Sequence, residues 1–160
     1  MPADLDWAAV ARAIHVVAVV HWIGGVWFVT FVVLPAVARF AEPRHAVVLF
    51  EEIERGFAAQ ARVSTLAAGA TGLWMTGIWE VWDRFLDPRF FWMHMMVALW
   101  AIFTIVLFVA EPLVLHAWFE ARARVAPEAT MRLVRRLHRV LSALAAATVA
   151  AAVLGAHGGV

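Results

Sequence analysis

The sequence predicts an all-α integral membrane protein, a four-helix bundle with its N- and C-termini on the outer (periplasmic) side. Three observations carry that expectation. Of the 160 residues 64% are hydrophobic, and the mean hydropathy is +0.82. A soluble domain of this size has too high a surface-to-volume ratio to enclose so much apolar surface. The apolar residues also gather into four runs, each at or above the ~20 residues that cross a hydrocarbon core as a helix. Finally, the arginines sort by side.

The first run, about residues 8–38, carries His15 and His21. No Ala-x-Ala pattern follows a short apolar stretch near its start, so it reads as a retained span rather than a leader. The second, about 57–82, has Arg62 near its beginning. Between them Ala46, Leu49, Phe50, Ile53 and Phe57 recur at three- and four-residue spacing, with Glu51, Glu52, Glu54 and Arg55 around the other side. That pattern predicts a short interfacial amphipathic helix over about 44–56, with an extension of the second span as the alternative. The third run opens at Asp87-Pro88, where Asp suits an N-cap and Pro the first helical turn, and continues to about 118. The fourth covers about 128–155, and its last two-thirds is almost entirely Ala, Val and Leu.

All 13 basic residues are arginines. Arg39, Arg44, Arg55 and Arg62 flank the first connection, and Arg122, Arg124, Arg132, Arg135, Arg136 and Arg139 flank the third. Only Arg12, Arg84 and Arg89 lie on the other side. This positive-inside bias places both termini and the Trp82–Arg89 turn outside, in a multi-pass protein of the bacterial inner (cytoplasmic) membrane.

Composition removes several chemistries. Without Cys there is no disulfide, thiolate metal site or Cys nucleophile. Without Lys there is no Schiff base. Tyr is absent and Trp occurs nine times, so the aromatic anchors at the interfaces are tryptophans. The net charge is +1 and the arginines sit near helix ends, which leaves no continuous basic face for nucleic acid. The expected partners are the lipid bilayer and a membrane redox partner or a second copy of the chain.

An ionisable group inside a span is a functional candidate by default; here these are His15, His21, Arg62, His94, Glu111 and His138. His15 and His94 lie ~12 Å and ~9 Å below the starts of their helices at 1.5 Å per residue. Two imidazoles at matched depth on different helices can hold a porphyrin between them, so haem b is the expected cofactor and His15 and His94 its expected ligands. His21, rotated ~120° from His15, shares a stripe with Gly24, Gly25 and Phe28. Glycines there admit a helix or a flat cofactor close to the backbone, and His21 is a rival ligand. For each histidine the alternative is a hydrogen bond across a helix interface, worth ~0.6–2 kcal/mol.

Met93, His94, Met95 and Met96, with Met75 on the neighbouring span, suit Cu(I), which makes copper the alternative cofactor. Met96 could also ligate haem, so bis-His and His/Met ligation both stay open. On the inner side Arg62, Glu111 and His138 lie at similar depth and suggest a buried ion pair or a proton path. Pro112, directly after Glu111, removes a backbone donor and can kink the third span. His45 reads as a solvated loop residue, and His157 lies in a Gly-rich tail where it could cap an outer site.

The stretch His15-Val-Val-Ala-Val-Val-His21-Trp22-Ile-Gly24-Gly25-Val-Trp27-Phe28 resembles the opening of HemJ-type protoporphyrinogen oxidases and of CopD-like membrane proteins, with a His seven residues before a Trp, then a small pair and aromatics. Phe91-Trp92-Met93-His94-Met95-Met96 resembles the Trp-x-His-x-Lys motif of a later HemJ helix. The resemblance implies haem b within a four-helix membrane bundle. In it His15 takes the first-helix position, His94 the second motif, and Trp22, Gly24, Gly25, Phe28, Trp92 and Met96 line the pocket. Two departures, Thr30 to Pro35 in place of Arg-Leu-Phe-Val-Tyr-His and Met96 in place of the motif Lys, point away from protoporphyrinogen oxidation. Three functions are thus expected to compete: a haem b protein in electron transfer or small-molecule redox chemistry, a copper-handling membrane protein, and a structural or assembly subunit.

Overall fold

The computed structural model describes residues 6–158, and among these every regular element is helical. Four rods alternate in direction. We label them α1 (Trp7–Phe40), α2 (Pro43–Ile78), α3 (Pro88–Val125) and α4 (Pro127–Ala156). Helix α1 starts where the Asp6 side chain accepts hydrogen bonds from the Ala8 and Ala9 amides at 3.0 and 3.2 Å, satisfying two of the free donors of a helix start. It passes through Pro35 because the chain widens to π pitch over Val29–Val33, and a π-bulge absorbs a proline that would otherwise break the ladder.

Helix α2 is unbroken over 36 residues. The amphipathic stretch at 44–56 forms its first turns rather than a separate surface helix. Its apolar side, Ala46, Val47 and Phe50, is buried in a core, which accounts for the periodicity without a membrane surface. The helix stops at Ile78, and Glu80 beyond it takes a left-handed conformation with φ 51°, so the chain turns over residues 79–81 before a short 3-10 helix, Trp82–Leu86. Asp87 caps the start of α3 by accepting from the Arg89 amide at 2.9 Å.

Both connections at the arginine-rich end are minimal. Glu42 and Ala126 have extended or irregular backbone, and Pro43 and Pro127 open the next helix directly. Pro disfavours helical geometry in the residue before it and is pre-shaped for the first helical turn. One X-Pro step therefore ends one helix and starts its antiparallel neighbour.

By length and composition α1, α3 and α4 can each cross a membrane. The outward sides fit lipid: Val17, Val20, Leu73, Val114 and Val153 are all exposed, apolar surface that water would penalise. Inside, α1 packs chiefly on α2 and α3 chiefly on α4. Two cores result. One lies mid-bundle around Trp22, Val26, Ala61, Leu99, Phe103 and Ala145. The other lies at the arginine-rich end around Leu34, Val37, Phe50, Ala123, Met131 and Val134.

Candidate functional site

The histidines of α1 are held by α2. His15 Nδ1 lies 2.9 Å from the Ala68 carbonyl and 3.1 Å from Thr71 Oγ1. A carbonyl only accepts, so Nδ1 carries the proton and Nε2 keeps its lone pair. Thr71 donates its own proton to the Ala67 carbonyl at 2.6 Å, which leaves it an acceptor for His15. His21 repeats the device one step along the antiparallel register. Its Nδ1 is 2.8 Å from Ser64 Oγ, and Ser64 donates to the Gln60 carbonyl at 3.1 Å. Gly72 makes room for the first ring, because a Cβ there would stand 3.3 Å from His15 Cε1.

Glycines seat aromatic rings at three further points. Gly25 lies under Phe57, Gly69 under Trp100 and Gly155 under Trp92, and a Cβ at any of them would overlap the ring. The Trp100 indole also donates to the Thr65 carbonyl at 2.9 Å. Trp22 is buried and meets Phe103 edge-on at 4.9 Å, joining α1 to α3 across the middle of the bundle. Within the described residues, Trp22 Nε1 and Thr65 Oγ1 are buried with no hydrogen-bond partner.

His94 is placed differently. It is exposed, its ring stacks edge-on with Phe85 at 5.5 Å, and its Nε2 lies 3.0 Å from the Phe85 carbonyl. By the same tautomer argument Nε2 is the protonated nitrogen, and the lone pair sits on Nδ1 beside the backbone of its own helix. Among the described residues no hydrogen bond or shared partner joins His94 to His15. The residues expected around them divide as well. Trp22 and Trp92 are buried, Gly25 and Met96 are intermediate, and Gly24 and Phe28 are exposed on the outer side of α1. Met93, beside His94, is buried while His94 is not. Among the described residues no three His, Asp or Glu side chains converge as a metal site.

Towards the arginine-rich end the structure joins Arg62 to Glu111 in a half-buried ion pair. Here α3 has π pitch over Val106–Leu115, so residue 112 would donate to the Leu107 carbonyl. Pro112 has no N–H, and Arg62 Nε donates to that carbonyl instead, at 3.1 Å. One guanidinium thereby satisfies both the acceptor orphaned by the proline and the carboxylate next to it. His138 stands apart: its Nδ1 donates to the Val134 carbonyl at 3.1 Å, and its ring packs on Phe50 at 5.7 Å. A group absent from the sequence-derived candidates is Glu54. Burial, then the charges of Glu111 and Glu51, push its carboxyl up to about 7.

Sequence reasoning also missed Ser64 and Thr71. The available signal was their spacing: two hydroxyls seven residues apart on an apolar stretch match two histidines six apart on an antiparallel neighbour. Compared with protein-family models, curated proteins and solved structures, the chain matches none.

Proposed function

We propose that this chain is a b-type haem protein of HemJ/CopD-like type, working in electron transfer or small-molecule redox chemistry in the bacterial inner membrane. The observation that supports it is the His15 ring. Ligating histidines donate the other ring N–H to a carbonyl, which fixes tautomer and orientation. His15 does so at Ala68, and Gly72 lets the ring lie close against α2. The residues present fit the group in that respect, with His15 Nε2 as the ligand atom and His21, held at Ser64, as a second imidazole on the same helix. The unpartnered Trp22 indole N–H is a donor available to a guest in the core. A haem bound there would supply one-electron transfer.

In this reading α2 provides the fourth crossing through residues 57–78, since its acidic residues are confined to its first turns. The arginine asymmetry supports termini outside. A membrane redox partner or a second copy would complete the electron path.

A second reading draws on the same hydrogen bonds, because His15 and His21 also staple α1 to α2 and suffice for a packing role. Oxidised and reduced absorption spectra of the detergent-purified chain, with a pyridine haemochrome assay and metal analysis, separate the two. The expected result is a haem b spectrum lost in His15→Ala and kept in His94→Ala, whose Nε2 is committed to Phe85. A protein that stays colourless when expressed with ample haem sinks the reading in favour of packing, and stoichiometric copper would favour copper handling.

A further inference from the structure

Helix α4 carries Arg132, Arg135, Arg136 and Arg139 at positions i, i+3, i+4 and i+7. That spacing stacks them on one stripe, over ~10 Å of helix. With Val140 they line a surface hollow of about 510 Å³. Arg132 has a carboxylate at 3.4 Å in Glu128, but among the described residues Arg135, Arg136 and Arg139 form no ion pair. The arginines ending α3 are different. Arg124 pairs with Glu120 at 3.3 Å and Arg122 stacks on Trp118 at 5.5 Å. Arg39, Arg44 and Arg122 also lack a carboxylate among the described residues, but on α4 three such guanidiniums share one face of one helix.

The same side of α4 changes character one turn further on. Val140, Ala143, Leu144 and Ala147 are exposed, and they follow the arginines at helical spacing into the apolar length of the helix. A cluster of guanidiniums at one end and a low apolar track at the other match one kind of molecule. A soluble phosphate would use only the first half.

We propose that this stripe binds an anionic phospholipid, its phosphate on Arg135, Arg136 and Arg139 and an acyl chain along Val140, Ala143, Leu144 and Ala147. Three unpaired guanidiniums exceed the charge of one phosphodiester, so a lipid carrying two phosphates, of the diphosphatidylglycerol type, is the best fit. The inference is independent of any haem.

The test uses the full chain, delipidated in detergent and offered phosphatidylcholine, phosphatidylglycerol or diphosphatidylglycerol, with bound lipid counted by native mass spectrometry. Diphosphatidylglycerol should be retained most strongly. Each arginine at a bilayer surface is worth about fivefold, so the triple variant R135Q/R136Q/R139Q should lose about a hundredfold in affinity. R12Q/R84Q/R89Q removes the same charge from the opposite end and should lose nothing. Should the first triple fail to fold, Ala143→Trp blocks the apolar track at an exposed position without changing charge, and it should lower retention several-fold. Equal losses in both triples, no preference over phosphatidylcholine, or displacement by inorganic phosphate at the concentration of lipid phosphate would each overturn the proposal. So would a lipid-free dimer seated on this side.

Discussion

Around Trp22 the helices meet through large rings, several of them seated on glycines; around Phe50 large apolar side chains pack with no glycine among them. The mid-bundle layer uses Ala61 and Ala145, with Gly25 and Gly69 beneath Phe57 and Trp100. The arginine-rich end uses Leu34, Phe50 and Met131, with Phe119 and His138 packed on the Phe50 ring. The contrast follows from the solvent. Lipid tails are as apolar as leucine, so apolar burial alone drives little association there, and close approach over glycines and interhelical hydrogen bonds such as His15–Ala68 carry more of it. Where the helices emerge among arginines, water restores the hydrophobic driving force and large side chains become effective. The Arg62–Glu111 pair lies towards the same end, where both side chains are only half-buried.

The comparison breaks first at Phe50, whose side chain is 1% exposed. Phe50→Ala should cost about 3–5 kcal/mol, as large-to-small changes in water-driven cores do, read as a shift in the denaturant or SDS unfolding midpoint. A cost below about 1 kcal/mol would mean that this end, too, is solvated by lipid. Gly69→Ala probes the other layer. Its added methyl meets the Trp100 indole, and overpacking of about 1–3 kcal/mol should follow, together with a change in Trp fluorescence as the ring leaves the Thr65 carbonyl. An unchanged spectrum and midpoint would show that the ring does not rest on that glycine.

The smallest effect depends on pH. Glu54 is held up to about 7 from an ordinary 4.5, by burial first and then by Glu111 and Glu51, so the folded chain binds its proton more tightly than the unfolded chain does. That stabilisation is fully present below the unfolded value and is lost as pH rises through the folded one, which places the window between about 4.5 and 7. Glu54→Gln should flatten the dependence and stabilise the chain at pH above this window by about 1–2 kcal/mol, allowing for solvent screening. Parallel pH profiles for variant and wild type would remove Glu54 as the titrating group and leave the arginine-rich end without a proton-linked step.

Much of this was written in the linear pattern. Runs of apolar residues longer than ~20 specify the long helices, Asp87-Pro88 marks where α3 starts, and the arginines mark one end of the bundle, because length, local capping and charge are properties of neighbouring residues. The amphipathic stretch was legible as a helix, but its period could not tell a membrane surface from the buried face of Phe50 as its partner. Nor could depth alone assign the histidines. His15 and His94 lie at similar distances from their helix starts, yet one ring is pinned by a helix far away in sequence and the other by its own preceding turn. Which nitrogen keeps a lone pair, which glycine seats which ring, and which orphaned carbonyl Arg62 repairs depend on helix rotation and register. Those are set only when four surfaces are fitted together at once, so the sequence determined the rods and their charged end, and the tertiary packing decided what each polar side chain faces.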